Sequence, residues 1–295
     1  MQKVIIAWLV LLAVSMIILF SPEPQADLRI GVIRTVDAAH PFVAQAQGFF
    51  KDEGLNVIVY SFGTSPPLAE AIASGEIDIA YMSFPPAATW ISKGTKMKIV
   101  SGASRGGDIV CVRDVNATGK IAVSKKGTMT ENIYRGFVKE KLKPEFEPIY
   151  GIEPPDMPTA LLVTEDVDAV LIWEPFATKI EDSGGACIFD VGEEWKKEYG
   201  TKYQRNILVA TDRVLSNKTM FDKILRVHNR TIDFLNSPQG DAAIAEAMGI
   251  APLKKRRMEY NSSLDWPSMV KLMETAKAGG YLKEVLSKEE LIYGG

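Results

Sequence analysis

The sequence predicts an α/β protein built as two lobes that share a cleft. Short β-rich runs alternate with segments of helical spacing through the first two-thirds of the chain, which is typical of mainly parallel sheets with helices packed on their faces. Two stretches, IASGEIDIAYMSFPP and LVTEDVDAVLIWEPF, also share one repeated frame, in which the end of a helix is followed by a turn with acidic residues, then by a strand and then by a proline. Two similar half-units in one chain predict two lobes, each presenting strand ends to a shared cleft.

The elements of the first lobe follow one another in a regular order. The run LRIGVI at Leu28–Ile33 predicts a strand, and PFVAQAQGFFKDEG at 41–54 predicts a helix that opens with proline and closes with glycine. The strand LNVIVYSF, the helix PPLAEAIASG and the strand IDIAYMS come next. This order predicts strands and helices that alternate along the chain.

The second lobe repeats the alternation. KIAVS at 120–124 predicts a strand, and the helix TENIYRGFVKEKL, the strand FEPIYG, a helix from Pro158 and the strand before Trp173 follow it. Beyond Ala210 the pattern is strongly helical, without a strand signal as clear as the earlier ones.

The shared frame places specific residues at the strand ends. Asp78 and Asp168 each open a strand, and Pro85 and Pro175 each follow seven residues later. Proline suits the first turn of a helix but cannot continue a central strand. Ligands of open α/β sheets bind at the carboxyl ends of the strands. The residues predicted at the two equivalent ends are Ser83 with Phe84, and Trp173 with Glu174.

Composition and charge narrow the class of function. The chain has 295 residues and a formal net charge of −3, and its basic residues form no stripe, so we expect no nucleic-acid partner. The basic run at 254–257 is predicted to be a solvated helix face. The two histidines, His40 and His228, are far apart in the sequence, and no Cys-x-x-Cys occurs. We therefore expect neither a metal site nor a cofactor.

The N-terminal 26 residues predict an export signal or a membrane anchor. After Lys3, the run from residue 4 to residue 20 is apolar except for Ser15. It is longer than a usual signal core of ~7–15 residues and near the ~17–25 of a membrane span, which favours an uncleaved anchor. An exported chain can form a disulfide, but the sequence does not show whether Cys111 and Cys187 meet.

The turn KKGTMTENI offers hydroxyls and positive charge at a helix start. Thr128 and Glu131 have the spacing of a capping box, Thr130 adds a second hydroxyl, and Lys125 and Lys126 precede them. Both an anion site and a plain helix cap fit this turn. The other helix starts have double prolines without an N–H but still offer hydroxyls, at Thr64, Ser65 and Ser83.

Aromatic and acidic residues near the strand ends complete the candidate site. Phe84, Trp173, Tyr81 and His40 could line a flat pocket, or they could be core residues. A buried carboxylate at Glu174 requires a donor. A ligand amine or ring N–H would supply one, and so would Arg105.

Four segments in this order resemble one protein family. They are LRIGVIRTVDAAHPFVAQAQGFFKDEGLNV, GEIDIAYMSFPPA, VDAVLIWEPF and QRNILVATDRVLSNKTMFDKILRVHNRTIDFLN. The chain resembles, from about residue 28 to 235, the substrate-binding proteins of ABC importers of the nitrate, sulfonate, taurine and thiamine-pyrimidine group. The resemblance implies a hinged, two-lobed type II periplasmic-binding fold, with lobe 1 at 27–103 plus 208–295, lobe 2 at 104–207, and crossings near GASRGGD and YQRNILV.

The resemblance also implies a function and a site. It implies an extracytoplasmic or periplasmic monomer that captures a small organic ligand or an oxyanion by closing its lobes and delivers it to ABC permease and ATPase subunits. A sulfonate-like or pyrimidine-like ligand is favoured over nitrate. No lipid-attachment cysteine is present, so tethering would depend on the N-terminal segment. The resemblance implies ligand contacts from Asp37, His40, Thr64, Ser65, Ser83, Phe84, Thr128, Thr130, Trp173 and Glu174.

Two other classes of function remain as alternatives. Relatives of this fold include a pyrimidine-precursor synthase and a dehydratase, but the synthase depends on a cysteine-rich iron motif that this chain lacks. His40 could act as a general base, although only Asp37 lies near it in sequence. A ligand-binding sensor would require a separate partner protein. We therefore expect a binding protein and no catalytic residues.

Overall fold

The structure, a computed structural model, describes residues 26–143 and 146–295 as two β-sheets with helices packed around them. The predicted signal peptide or anchor falls on residues 1–25, outside the described residues. Within the described ranges, no helix has the length and apolarity needed to cross a membrane.

The first sheet has six strands in the order β11-β4-β10-β3-β1-β2. Its strands are β1 (Leu28–Ile33), β2 (Val57–Phe62), β3 (Ile79–Ser83), β4 (Met97–Gly106), β10 (Gln204–Thr211) and β11 (Met258–Tyr260). The helices in its part of the sequence are α1 (His40–Ala46), α2 (Phe49–Asp52), α3 (Ser65–Ala73), α4 (Phe84–Ser92), α10 (Asp212–Leu215), α11 (Lys218–Leu235), α12 (Gly240–Met248), α13 (Trp266–Ala278) and α14 (Lys288–Leu291).

The second sheet has five strands in the order β7-β6-β8-β5-β9. Its strands are β5 (Ile109–Val112), β6 (Gly119–Val123), β7 (Phe146–Tyr150), β8 (Ala169–Ile172) and β9 (Ala186–Asp190). Its helices are α5 (Met129–Ile133), a π-helical turn (Tyr134–Val138), α6 (Lys139–Lys141), α7 (Met157–Leu162), α8 (Phe176–Asp182) and α9 (Val191–Tyr199).

The two-lobed α/β class is confirmed, but the sheets are mixed rather than mainly parallel. The predicted alternation produces the parallel pairs β1–β2, β1–β3, β6–β7 and β6–β8. The strands next to the crossings pair antiparallel with their neighbours. In the second sheet β5, which directly follows β4 in the chain, pairs with β8 and β9, and in the first sheet the returning strand β10 pairs with β3 and β4. Both β4 and β10 extend through the predicted lobe boundaries, and the division at 103/104 and 207/208 stays a prediction.

Two local expectations differ from the structure. The helix predicted at 41–54 is divided into α1 and α2 at Gly48, whose φ of 74° is easy only for glycine. The short edge strand β11 had no clear signal, since three residues at an edge leave little pattern to read.

The repeated frame predicted from the sequence is present as a repeated contact. Asp78 Oδ2 accepts a hydrogen bond from the backbone N–H of Arg29 at 2.8 Å, at the start of the adjacent strand β1. Asp168 Oδ2 accepts the same bond from Lys120 N at 2.8 Å, at the start of the adjacent strand β6. Each aspartate thus aligns the starts of two parallel strands, so that their carboxyl ends meet at one edge.

The hydrophobic core is continuous between the two sheets. One buried apolar cluster includes Leu272 and Met273 of α13, Phe84 of α4, and Met129 and Ile133 of α5. Helices α4 and α13 of the first lobe therefore pack on α5 of the second. Cys111 and Cys187, on the adjacent strands β5 and β9, form a disulfide within the second sheet.

The basic run at 254–257 is not a helix, and the prediction of a solvated helix face was wrong. Arg257 is almost fully buried and pairs with Glu174 and Glu181 of the second lobe. Lys254 pairs with Asp182 at 2.8 Å. The run therefore ties the first lobe to α8 of the second, because acidic side chains line the facing surface.

Candidate functional site

A cavity of ≈ 70 Å³ lies between the two sheets at the carboxyl ends of their parallel strands. Turns after β1, β2 and β3 line it from one side, and turns after β6, β7 and β8 line it from the other. This is the position where α/β sheets bind ligands. Its lining residues include Thr35, Asp37, Thr64, Ser65 and Ser83 from the first lobe, Ser124, Lys125, Thr128, Thr130, Glu153 and Trp173 from the second, and Arg205 from β10.

Seven of the predicted ligand contacts line this cavity. They are Asp37, Thr64, Ser65, Ser83, Thr128, Thr130 and Trp173. Each lies at the end of a strand of the alternating pattern or in the short segment that leads from it into the first turn of the next helix, which is why the sequence could indicate them. Their contact with a ligand remains a prediction.

His40 and Phe84 do not line the cavity, contrary to the expectation. Phe84 is fully buried in the apolar core. The His40 ring is fully buried and stacks on Tyr81 at 4.8 Å and on His228 at 5.5 Å between ring centroids. Burial lowers the pKa of His40 well below its ordinary value, so this imidazole is a neutral core group. Both side chains face the interior because their helices begin at the strand ends and turn back onto the sheet.

Glu174 and Arg105 also lie away from the cavity, and they do not pair with each other. Glu174 is fully buried, accepts from Thr178 N at 3.1 Å and forms an ion pair with Arg257. Burial raises the pKa of the Glu174 carboxyl, and Arg257 opposes that rise. Arg105 Nη1 instead donates to Thr201 Oγ1 at 3.0 Å. The donor for Glu174 is therefore another part of the protein.

The Thr128–Thr130 turn is arranged as a helix cap. Thr128 Oγ1 accepts from Glu131 N at 3.3 Å, and Glu131 accepts in turn from Gly127 N at 3.3 Å. Thr130 donates to Asp108 at 2.9 Å, and Lys125 pairs with Glu153 at 2.5 Å. The charges and hydroxyls that could hold an anion thus already have protein partners.

Arg205 is the principal site residue that the sequence reasoning missed. Its guanidinium is buried between Asp37 of the first lobe and Asp108 at the start of β5, and pairs with both. It also lies 5.5 Å from the Trp173 ring centroid, within cation–π range. The two neighbouring carboxylates raise the pKa of Arg205 against the effect of burial. The sequence QRN places this arginine at a predicted crossing between the lobes, and that placement was the signal that could have indicated it.

Asp108 collects hydrogen bonds from helix α5 and from the second crossing between the lobes. It accepts from Tyr203 Oη at 2.6 Å and from Thr130 Oγ1 at 2.9 Å, and it pairs with Arg205. Burial raises the pKa of Asp108, and Arg205 opposes that rise. Three donors on one carboxyl stabilise its ionised form. A continuous polar chain therefore joins helix α5 to the first lobe through the crossing strands.

Two buried polar atoms at the cavity have no hydrogen-bond partner among the described residues. They are Oδ1 of Asp37 and Nε1 of Trp173. One is an acceptor and the other a donor, so two residues of the cavity lining each carry an unused polar atom. Within the described ranges, no cluster of three or more metal-ligating side chains occurs.

Two sheets, two extended crossings and a cavity lined from both lobes define the periplasmic-binding-protein class of fold. A family model described as the NMT1-like family matches residues 21–249. The chain belongs to the NMT1-like family.

Solved structures with similar folds agree with this assignment. The chain is similar to the periplasmic aliphatic sulphonate binding protein SsuA from Escherichia coli, with a TM-score of 0.72 and 17% identity over 92% of each chain. It is similar to the periplasmic nitrate-binding protein NrtA from Synechocystis PCC 6803, with a TM-score of 0.70 and 14% identity over 91% of this chain and 85% of that one.

A third structure is the alkanesulfonate-binding protein SsuA from Xanthomonas axonopodis pv. citri bound to MOPS, with a TM-score of 0.69 and 17% identity over 92% of this chain and 99% of that one. A search among curated proteins found no match. At these identities the likeness establishes the fold.

Proposed function

We propose that this protein is the extracytoplasmic solute-binding component of an ABC-type importer. It captures a small solute in the cleft and delivers it to a membrane permease that works with an ATPase. The observation that carries the proposal is the cavity between the lobes, which receives strand-end residues from both sheets. The NMT1-like family and the sulfonate- and nitrate-binding proteins of the same fold support it.

The proposed mechanism is closure of the lobes around the ligand. A ligand shifts a conformational equilibrium only if it binds one state better than the other. Thr64 and Ser65 of the first lobe and Trp173 of the second line the same cavity. A ligand that touches both sets stabilises the closed arrangement, and the permease then recognises that arrangement.

We propose an extracytoplasmic monomer, tethered to the membrane by its N-terminal segment or released by cleavage there. The apolar run at residues 4–20 supports export, and the periplasmic proteins of the same fold support the compartment. The ligand is a small organic molecule of the sulfonate-like or pyrimidine-like kind, or an oxyanion. The protein binds this ligand without chemically changing it.

A thermal-shift screen with calorimetry tests the proposal. The purified protein is exposed to sulfonates, nitrate, bicarbonate, pyrimidines and small amines, and any response is confirmed by titration. A ligand at 100 times its dissociation constant adds about 2.7 kcal/mol to the free energy of unfolding, which raises Tm by about 5–10 °C for a protein of this size. The same ligand should be recovered unchanged. Turnover of a bound compound would instead establish an enzyme.

A further inference from the structure

We propose that the ligand of this cleft carries a cationic nitrogen group, such as an ammonium, amidinium or guanidinium, and that Asp37 binds that group. This inference rests on the proposed function, because it names the chemical class of the solute for the same cavity. The two proposals fail separately: an oxyanion ligand would overturn this one and leave the binding function in place.

The position of Asp37 is the first observation. Its side chain lines the cavity and only 3% of the residue is exposed. Oδ2 accepts from Arg205 and from Asn206 Nδ2, the latter at 2.8 Å, whereas Oδ1 accepts from no described residue. A buried carboxylate oxygen without a donor is unfavourable. A ligand N–H in the cavity would satisfy it.

The balance of charge around the cavity is the second observation. Asp37 and Asp108 both contact the single guanidinium of Arg205, so with both carboxyls ionised this buried cluster carries a net −1. The second cation of the lining, Lys125, is paired with Glu153. The lining as described therefore offers an anion no unpaired cation, and an added cation would neutralise the buried cluster.

The start of helix α3 also offers little to an oxyanion. Helix α3 begins with Ser65, Pro66 and Pro67, and the two prolines have no N–H to donate. The hydroxyl of Thr130 donates to Asp108. Among the fully buried side-chain donors of the lining, the indole N–H of Trp173 lacks a partner. It would suit an acceptor elsewhere on the same ligand.

The test uses pairs of planar probes that share a shape and differ in charge. Acetamidinium is compared with acetate, and guanidinium with nitrate, each at millimolar concentration against the full chain purified in mild detergent. The cavity of ≈ 70 Å³ is small, so compact probes suit it. Titration calorimetry and thermal shift measure binding. We expect each cation to bind at least tenfold more tightly than its matched anion.

Substitutions locate the contact. Asp37→Asn removes the charge but keeps the volume, and should weaken acetamidinium binding by about tenfold to a hundredfold, the range for a hydrogen bond to a charged group. Asp182→Asn removes a half-exposed carboxylate outside the lining, where Asp182 pairs with Lys254, and should change binding less than threefold. The comparison of probes on the unmodified protein needs no variant, so it stands if Asp37→Asn fails to fold.

Each outcome decides between the alternatives. Preference for the cations that depends on Asp37 supports the inference. Tighter binding of acetate or nitrate, or an equal loss of acetamidinium affinity in Asp182→Asn and Asp37→Asn, overturns it while the proposed function stands. If no probe binds, mass spectrometry of the small molecules released on denaturing the purified protein decides. A released ligand without a basic nitrogen overturns the inference alone, and absence of any ligand overturns both proposals.

Discussion

Removing one partner of the buried ion pair between Glu174 and Arg257 should strongly destabilise the protein. We consider Glu174→Gln, which removes the negative charge and keeps the side-chain volume. Glu174 is 0% exposed and Arg257 2% exposed, so water cannot replace the lost partner. Breaking a buried pair from one side costs about 3–5 kcal/mol. Glu181 still contacts the guanidinium at 2.7 Å, so we expect the lower end, about 3 kcal/mol.

The assay is urea unfolding followed by circular dichroism at neutral pH, with thermal unfolding in parallel. A loss of about 3 kcal/mol lowers Tm by about 6–12 °C for a protein of this size. The matched control is Asp182→Asn, which breaks the pair between Lys254 and Asp182, the last residue of helix α8. The side chains of Asp182 and Lys254 are each about half exposed, and ion pairs this exposed contribute about 0–1 kcal/mol to the free energy of unfolding. A Glu174→Gln variant no less stable than the control would refute the reasoning.

Three further changes test other parts of the structure. Burial lowers the pKa of His228 from 6.5 to about 4. The free energy of unfolding that depends on the neutral His228 is therefore fully present above pH 6.5, and it falls by about 3 kcal/mol as the pH drops toward 4. Urea midpoints measured across this range should fall less in His228→Gln, and parallel curves would contradict the assignment. Reducing the Cys111–Cys187 disulfide, which spans a sequence separation of 76, should lower the free energy of unfolding by about 4 kcal/mol, and an unchanged urea midpoint after reduction would show otherwise. Gly136→Ala should cost about 1–3 kcal/mol, because the new methyl group would overlap Thr275 of helix α13. Wild-type stability of this variant would mean that the lobes do not pack there.

The polar strand ends could be predicted because they depend on local pattern. Thr64, Ser65, Ser83 and Trp173 follow β-rich runs and precede helix starts, and they line the cavity. Parallel strands bring their carboxyl ends to one edge of a sheet, so residues far apart in sequence gather there without any specific long-range contact.

The direction of individual side chains could not be predicted in the same way. Phe84 and Glu174 stand at equivalent places in the repeated frame, and both turn into the protein. A strand end followed at once by a helix can direct a side chain to the cleft or to the core. The difference depends on what packs against that turn, which for Glu174 is Arg257, 83 residues away.

The sequence alone determined the two α/β units, the six parallel strands of the alternating pattern and most of the segments that line the cavity. Hydrophobic periodicity and proline placement operate over a few residues, so they are visible without a structure. Only the tertiary structure decided the charge of the site. Arg205 and Asp108 lie at the crossings between the lobes, and Arg205 contacts both Asp108 and Asp37, which requires both crossings to meet. That long-range meeting leaves Asp37 Oδ1 as a buried, unused acceptor at the cavity.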